Sequence, residues 1–324
     1  RALSTTGSGT GAEFIATGMS QELVDQFRQD LVAAPLFRTV NMPIKVYELP
    51  VSGAPGSAYH VAENTGNSGQ TAIPASTPGT AKVTFTAQDI ATLTYVSNDE
   101  TQDSIVPMVP FIQSNMLRAL AEGLENAIIN GDTTATHMDT DTEAAGATHV
   151  ATAWKGLRKH ALEQGYKVDI STFNLSALRS MRKLMGKYGT SPQRLAWIVS
   201  NSAYNQMLSF AEVGTVDKFG GAATVVNGVL ERIDGIPVFV SPFMREDLDA
   251  TGVNGVSGNT KTGILLVHRD AFLLGDRQQI EIRQEASPIE YRQQKLVADL
   301  RADFQPTYAI DSNKTVVFGY NLTT

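Results

Sequence analysis

The sequence contains no cysteine at any of its 324 positions. Disulfides, thiolate catalysis and cysteine-ligated zinc or iron–sulfur centres are therefore excluded. Charged residues are also scarce, at 18% of the chain against a usual share of about 25%. Uncharged polar groups must then cover much of the surface, which suits contact with other protein. No apolar run approaches the roughly 18 residues of a membrane-spanning helix, so we expect no membrane partner.

The charges that are present are mostly acidic. The 33 Asp and Glu residues outnumber the 26 Lys and Arg residues, which gives a net charge of −7. Affinity for nucleic acid comes mainly from Lys and Arg side chains that neutralise phosphates. We therefore expect neither tight wrapping of DNA nor recognition of its sequence.

Sequence signatures of catalysis are missing as well. The five histidines form no H-E-x-x-H pair, and the chain has neither G-x-S-x-G nor a Walker A sequence. We therefore predict no enzyme, no cofactor and no metal site. Asp139, Asp141 and Glu143 alternate as calcium ligands do, but the central Gly and distal Glu of an EF-hand are absent. We interpret this run as a solvated acidic loop, with calcium binding as the alternative.

The N-terminal region has the composition of a flexible arm. Residues 1–18 carry only Arg1 and Glu13 as charges among Gly, Ser and Thr. Ser20 then opens an amphipathic helix that ends before Pro35. Because residue 1 is Arg and not Met, we expect a longer translation product, whose start is either disordered or removed by proteolysis.

Two runs of alternating apolar residues predict the arms of a long β-hairpin. The second run spans residues 83–95. The first contains Val40, Met42, Ile44 and Val46.

The segment between these arms has few means to fold by itself. Residues 52–81 contain five glycines, three prolines and a single formal charge, Glu63. Loops of this length are usually functional or disordered, and an isolated hairpin is only marginally stable in water. We therefore predict that this segment docks on a neighbouring subunit, with Tyr59, Val61 and Ile73 as apolar anchors and Glu63 also in the contact.

A long helix is predicted over residues 103–130, where apolar side chains recur every three or four positions and Gly131 is the stop. Such a helix would span about 40 Å and greatly exceeds the mean helix of about 11–12 residues. From residue 151 onward, helix and strand patterns alternate and predict a separate α/β lobe. Its helices are expected at 154–164, at 175–187 and after Asn201, and its strands at 195–199, 236–240 and 264–267. A Gly-rich polar loop spans 245–263, and the tail from residue 279 is expected to rejoin the lobe with the long helix.

Four basic residues lie within helical spacing of one another: Arg179, Arg182, Lys183 and Lys187. Three interpretations are open for this stripe. It is an ordinary solvated helix face, a surface for ion pairs between subunits, or a DNA contact, which the acidic chain disfavours.

Several short motifs in this order resemble the Hong Kong 97-type major capsid protein family of tailed bacteriophages. They cover nearly the whole chain, although each is short. The motifs are IINGD at 128–132, IDGIPV at 233–238, SPFM at 241–244, ILL at 264–266, LGD at 274–276 and LRADF at 300–304.

The resemblance implies an α+β capsid fold with an N-terminal arm, an extended β-hairpin loop, a peripheral domain with a long spine helix, and an α/β axial domain. The arm and short helix would be residues 1–35. The peripheral domain would be residues 36–150 with 289–324, including the extended loop at 47–90 and the spine helix at 103–130. Residues 151–288 would form the axial domain, with 245–263 as the axial loop around capsomer centres.

The resemblance also implies a function. The chain would assemble with itself into hexamers and pentamers of an icosahedral head that encloses double-stranded DNA, after proteolytic removal of an N-terminal scaffolding segment. Portal and decoration proteins would be further partners, and the virion, assembled in the host cytoplasm, would be its location. The alternative within the same fold is the shell of an encapsulin nanocompartment.

One departure from the family concerns covalent cross-linking. The cross-linking member of the family joins an extended-loop Lys to an Asn of another subunit. No Lys lies between Lys45 and Lys82 in this sequence, so we expect a non-covalent shell.

Overall fold

The computed structural model describes residues 31–53, 55–61, 72–99, 108–210, 230–286, 291–311 and 313–324. The predicted arm at 1–18 and nearly all of the helix after Ser20 lie outside these residues. Within them the strands form a four-stranded sheet, a six-stranded sheet and a two-stranded hairpin.

The four-stranded sheet consists of β1 (Arg38–Asn41), β4 (Gln88–Ser97), β10 (Phe272–Ala286) and β11 (Gln293–Pro306). Their spatial order is β1-β10-β11-β4, with β1 parallel to β10 and the other neighbours antiparallel. The sheet therefore combines strands from both ends of the chain.

The predicted spine helix is present as α1 (Met108–Asn130), and residues 103–107 of the prediction lie outside the described residues. Its 23 residues span about 34 Å without a break near Leu117. The helix packs on β4 and β11, where Met116 and Leu120 are buried in one core with Leu296 and Leu300. A continuous helix on this sheet confirms the pattern that the apolar spacing predicted.

The hairpin is shorter than the two sequence runs suggested. Its arms are β2 (Val46–Ser52) and β3 (Thr80–Thr86), with Val46 opposite Thr86 and Ser52 opposite Thr80. The outer parts of the predicted arms belong instead to the four-stranded sheet, because Val40 lies in β1 and residues 88–97 form β4. Alternation shows that a segment is a strand, but it does not show which strand is its neighbour.

The six-stranded sheet consists of β5 (Lys167–Asp169), β6 (Leu195–Val199), β7 (Arg232–Ile233), β8 (Ile236–Val240), β9 (Lys261–His268) and β12 (Val316–Thr323), in the spatial order β5-β12-β9-β6-β8-β7. The remaining helices are α2 (Thr140–Ala145), α3 (Leu157–Glu163), α4 (Leu175–Leu184) and α5 (Asn201–Leu208). The strands at 195–199 and 236–240 match the predicted bounds. No helix of the described residues is long and apolar enough to cross a membrane.

Both faces of the six-stranded sheet are buried. Trp197 and Val199 of β6 pack with Met181 of α4, whereas the intervening Ile198 faces the core that contains Leu157 of α3. Because every residue of β6 is covered, its sequence is a continuous apolar run and not an alternating one.

The prediction that the tail rejoins the sheet with the spine helix is confirmed for β11, which pairs with β4, and is wrong for the C-terminal strand β12. β12 lies between β5 and β9, with Phe318 opposite Leu265. Conversely, residues 272–286 form β10 of the four-stranded sheet, although they fall in the predicted axial range. The tail suits an interior strand because Val316 and Val317 are buried against different cores, one on each face of the sheet.

The two sheets meet in a continuous core. One buried apolar cluster contains Leu300 and Phe304 of the four-stranded sheet together with Leu265 and Phe318 of the six-stranded sheet. The division into domains at 36–150 with 289–324 and at 151–288 therefore stays a prediction.

The spine helix ends where two backbone segments cross at glycines. The Gly156 amide donates to the Gly131 carbonyl at 2.7 Å. A Cβ at Gly156 would lie 2.6 Å from the Gly131 nitrogen and 2.9 Å from the Ala127 oxygen. Only glycine allows this approach, which brings the start of α3 against the end of the spine helix.

Beside this crossing lies a charge cluster, defined by Asp139, Arg158, Lys159 and Arg245. Arg158 and Asp139 are almost completely buried and form a bidentate ion pair, and Arg158 also donates to the Asn130 side chain at 3.1 Å and to the Gly252 carbonyl at 3.0 Å. The cluster thus joins the end of the spine helix to the 245–263 loop.

The predicted solvated acidic loop is wrong for Asp139. Burial raises the pKa of this carboxyl, but the charges of Arg158 and Lys159 outweigh burial and hold the pKa at about 2. Asp141 and Glu143 are exposed, as predicted, and Arg245 contacts Asp141 at 2.8 Å. No group of three or more His, Asp or Glu side chains in the described part of the chain is placed to hold a metal ion.

We predict that Gly156→Ala lowers the free energy of unfolding by about 1–3 kcal/mol, because the added methyl group collides with backbone atoms that cannot turn aside. Urea unfolding of the unassembled subunit measures the change. Gly123→Ala is the matched control: its Cβ would meet the Val150 side chain at 3.2 Å, and Ala favours a helix by up to about 1 kcal/mol. Equal stability of the two variants would contradict a tight crossing.

We further predict that Asp139→Asn lowers the free energy of unfolding by about 3–5 kcal/mol near pH 6, because it leaves the Arg158 charge buried without its partner. The folded-state pKa of Asp139 lies below its usual value, so its contribution is complete above about pH 4 and is lost as the pH falls towards 2. In urea unfolding, the difference in the free energy of unfolding between wild type and Asp139→Asn should therefore become smaller as the pH falls from about 4 to 2.

The control for this prediction is Asp141→Asn, which removes an exposed partner of Arg245. Exposed ion pairs are worth about 0–1 kcal/mol, so this variant should remain close to wild type. If the difference in the free energy of unfolding between wild type and Asp139→Asn did not change with pH, the charge of the carboxylate would not stabilise the fold.

Candidate functional site

The hairpin of β2 and β3 leads to the tip segment that the sequence singled out as a contact with a neighbouring subunit. Past its last strand pair, the Gly53 amide donates to the Gly79 carbonyl at 2.9 Å. A Cβ at Gly53 would lie 2.7 Å from the Gly79 carbonyl carbon, so a side chain there would force the two segments apart. The arms therefore stay together up to the start of the tip.

The described tip segments, 55–61 and 72–79, contain no helix or strand. Ser57 and Ser76 join them, since the Ser57 amide donates to the Ser76 hydroxyl at 3.0 Å and that hydroxyl donates to the Ser57 carbonyl at 3.2 Å. Two of the predicted anchors are exposed: Ile73 at 75% and Tyr59 at 46%. Val61 is partly covered, and Glu63 lies outside the described residues.

The hairpin root, defined by Met42, Phe85, Gly275 and Asp303, is tightly packed. Met42 and Phe85 are buried against the start of β10. A Cβ at Gly275 would lie 2.6 Å from the Met42 sulfur and 2.9 Å from the Phe85 ring. The root therefore fixes the direction in which the hairpin leaves the body.

Asp303 makes the polar connection of this root. Its buried carboxylate accepts hydrogen bonds from the Thr86 amide at 2.7 Å and from the Phe304 amide at 2.8 Å. Burial raises the pKa of Asp303, and these donors oppose that effect without cancelling it. Sequence reasoning missed this residue, although an Asp among the apolar residues of a strand was a visible signal.

Exposed apolar side chains also lie along the edge of the four-stranded sheet. Leu93 and Tyr95 of β4 point outward and are about half exposed, and Ile44 and Val46 near the hairpin root are similarly uncovered. The outer edge of β4 pairs with no other described strand. Long exposed edge strands are normally covered by another chain or protected by charge.

Glu125 of the spine helix is a second residue that sequence reasoning missed. Its buried carboxylate accepts hydrogen bonds from the backbone amides of Val32, Ala33 and Ala34. It thereby holds the segment through which the N-terminal residues join the body. A single acid on the apolar side of a helix was the signal for it.

Of the four basic residues of the predicted stripe, Arg179, Arg182 and Lys183 lie on α4, and Lys187 lies in the turn that follows this helix. Arg179 is bound to Asp234 by two hydrogen bonds of 2.9 and 3.0 Å, and Arg182 donates to the Gly189 carbonyl at 2.7 Å. Lys183 and Lys187 are exposed and line a cleft. Arg179 and Arg182 therefore make contacts within the subunit, whereas Lys183 and Lys187 are exposed to solvent.

The sequence matches the model of the phage capsid family over residues 11–312. It is 23% identical over 281 residues to the major capsid protein of Escherichia phage T5, a match that covers 85% of this chain and 56% of that protein. The chain thus spans little more than half the length of this curated relative.

Solved structures give the same fold. Structures from Microbacterium phage Oxtober96 and Mycobacterium phage Bobi align with TM-scores of 0.70 and 0.68 at 15% and 16% identity, over 99% and 100% of this chain and 99% of each of theirs. The capsid of a native GTA particle aligns with a TM-score of 0.68 at 13% identity, over 99% of this chain and 100% of that one. These alignments confirm the Hong Kong 97-type α+β fold, and the match over residues 11–312 shows that the chain belongs to the phage capsid family.

Proposed function

We propose that this chain is the major shell subunit of a phage head, which assembles with itself into the hexamers and pentamers of an icosahedral capsid around double-stranded DNA. The observation that carries the proposal is the family match together with a hairpin that is rigid at its root and uncovered at its tip. Removal of an N-terminal scaffolding segment, assembly in the host cytoplasm, and contacts with portal and decoration proteins are parts of the same proposal.

The proposal assigns the chain a structural role and no catalysis, in agreement with the family of structural proteins to which it belongs. The encapsulin alternative receives less support, because the similar solved structures come from phages and from a GTA capsid. DNA inside a shell with an acidic subunit would be held without sequence-specific binding.

The predicted contact lies between the hairpin tip and an adjacent subunit. Burying a side chain such as Tyr59 or Ile73 is worth about 1.5–3 kcal/mol. The contact repeats over all copies of the shell, and several neighbours hold each subunit at once, so a modest contact becomes strong in the shell. The packed root keeps the tip in position before docking, which reduces the entropy that docking costs.

We predict that replacing residues 54–78 by a short Gly-Ser linker leaves a folded subunit that forms no shells, or shells that dissociate on heating. The double variant Tyr59→Ser, Ile73→Ser should weaken assembly in the same direction, since only the tip loses its apolar contacts. Electron microscopy and size-exclusion chromatography detect particles, and urea unfolding checks the subunit.

The matched control on the same hairpin is Glu48→Gln, which removes the exposed 2.6 Å ion pair with Lys82. Exposed pairs contribute about 0–1 kcal/mol, so this variant should assemble as wild type does. If the linker variant formed shells of unchanged thermal stability, the tip would be a loop that projects into solvent and does not dock on an adjacent subunit.

We also predict that the mature shell is held together without covalent links. Residues 46–81 contain no Lys, so the hairpin tip has no amine for an isopeptide bond. Denaturing gel electrophoresis of mature particles should give a band no larger than one chain. A ladder of multiples that persists in denaturant would contradict this prediction.

A further inference from the structure

A cleft of about 600 Å³ on the six-stranded lobe is lined by four lysines. We call it the lysine cleft, defined by Lys167 of β5, Lys183 of α4, Lys187 in the turn after α4, and Lys314 just before β12. Its other walls are mainly apolar, and no acidic residue of the described ranges lines it. The rest of the lining is Val168, Ser180, Leu184, Met185, Gly186 and Tyr188.

The four ammonium groups have no carboxylate partner among the residues that the structure describes. Two other cations of the chain do have such partners, since Arg179 pairs with Asp234 and Lys155 pairs with Glu163. Three lysines of the cleft contact tyrosine rings instead. Lys167 lies 5.0 Å from the centre of the Tyr320 ring, Lys187 lies 5.0 Å from that of Tyr188, and Lys314 lies 5.6 Å from that of Tyr166.

These ring contacts position the lysines but leave their charge uncompensated. A cation over an aromatic face gains about 0.5–1 kcal/mol at an exposed site, and the ring carries no net negative charge that would neutralise the cation. Four like charges around one concave surface therefore repel each other in the isolated subunit. An anionic group that enters the cleft would relieve this repulsion.

The chemistry of the cleft favours a protein carboxylate as that anion. A double helix is too wide to enter a cleft of this volume and would meet only its rim, whereas an acidic side chain beside an apolar one can reach both the lysines and the apolar walls around Val168 and Leu184. Every further copy of this chain carries 33 Asp and Glu residues against 26 Lys and Arg residues, so a neighbouring copy offers an excess of carboxylates that such a cleft can bind.

We propose that the lysine cleft receives acidic side chains of a neighbouring copy of this chain. This inference rests on the proposed function, because it requires that copies assemble. The contact is head-to-tail, since the cleft and its acidic counterpart are different surfaces, and such contacts close rings when the rotation between copies permits. It also gives a use to the charges of Lys183 and Lys187, which have no carboxylate partner among the described residues.

The direct test is carbodiimide cross-linking of assembled shells made from a mixture of ¹⁵N-labelled and unlabelled chains. The reagent joins an amine to a carboxylate only where the two are in contact. Mass spectrometry should find Lys167, Lys183, Lys187 or Lys314 joined to Asp or Glu in peptides of mixed label, which identifies the acidic residues of the neighbour. Cross-links from these lysines confined to one chain, or none at all, would overturn the proposal.

A second test reverses the charge of the cleft. Lys183→Glu with Lys187→Glu should raise the subunit concentration needed for assembly by about tenfold or more, because like charges then meet across the interface. Lys183→Gln with Lys187→Gln should have a smaller effect and should weaken the salt dependence of assembly. Arg194→Glu on the same lobe is the control, as Arg194 is exposed and its ion pair with Asp270 is long, at 3.7 Å.

The outcomes separate this inference from the proposed function. If wild type forms no shells, the proposed function fails. If wild type assembles and both lysine variants assemble at the same concentration, the cleft has no role between copies and the inference fails. Normal assembly combined with loss of retained DNA would identify a DNA contact, which also overturns it.

Discussion

The buried ion pair between Arg158 and Asp139 holds together the part of the subunit on which the other elements depend. Arg158 also binds the side chain of Asn130 at the end of the spine helix and the Gly252 carbonyl in the 245–263 loop. One guanidinium thus connects the helix on the four-stranded sheet to a loop of the six-stranded lobe. If one of the two charged side chains moved out of the core, the other would stay buried without a partner of opposite charge. These segments are therefore expected to unfold together.

A second kind of buried contact, an acid that accepts hydrogen bonds from backbone amides, is found where the chain leaves the body. Asp303 holds Thr86 at the hairpin root, and Glu125 holds residues 32–34 on the spine helix. Asp303 acts on the segment that leads to the hairpin tip, which is proposed to contact a neighbour, and Glu125 acts on the segment that leads to the N-terminal residues. Their role is to fix direction: an uncovered tip on a rigid root loses less entropy on docking than a wholly flexible loop would.

Much of this architecture is visible in the sequence because its signals are local. Helical spacing predicted the spine helix, and the pattern at 195–199 predicted a strand, which the structure shows to be covered on both faces. Strand partners were not predictable in this way: β12 joined the six-stranded sheet, since a strand pattern carries no information about its neighbour. The contact between Thr86 and Asp303 bridges 217 positions, and the lysine cleft unites residues from 167 to 314.

Some polar groups of the subunit have their partners within the chain, whereas some groups at its surface are left without a partner in the described structure. Asp139, Glu125 and Asp303 are buried and have their hydrogen-bond partners within the chain. The lysine cleft and the hairpin tip show the opposite condition, with uncompensated cations in one case and uncovered apolar groups in the other. A shell without covalent links depends on many modest contacts that form at the same time. Lysines without carboxylate partners and exposed apolar side chains in one copy can form such contacts with the next copy, and these contacts stabilise the shell.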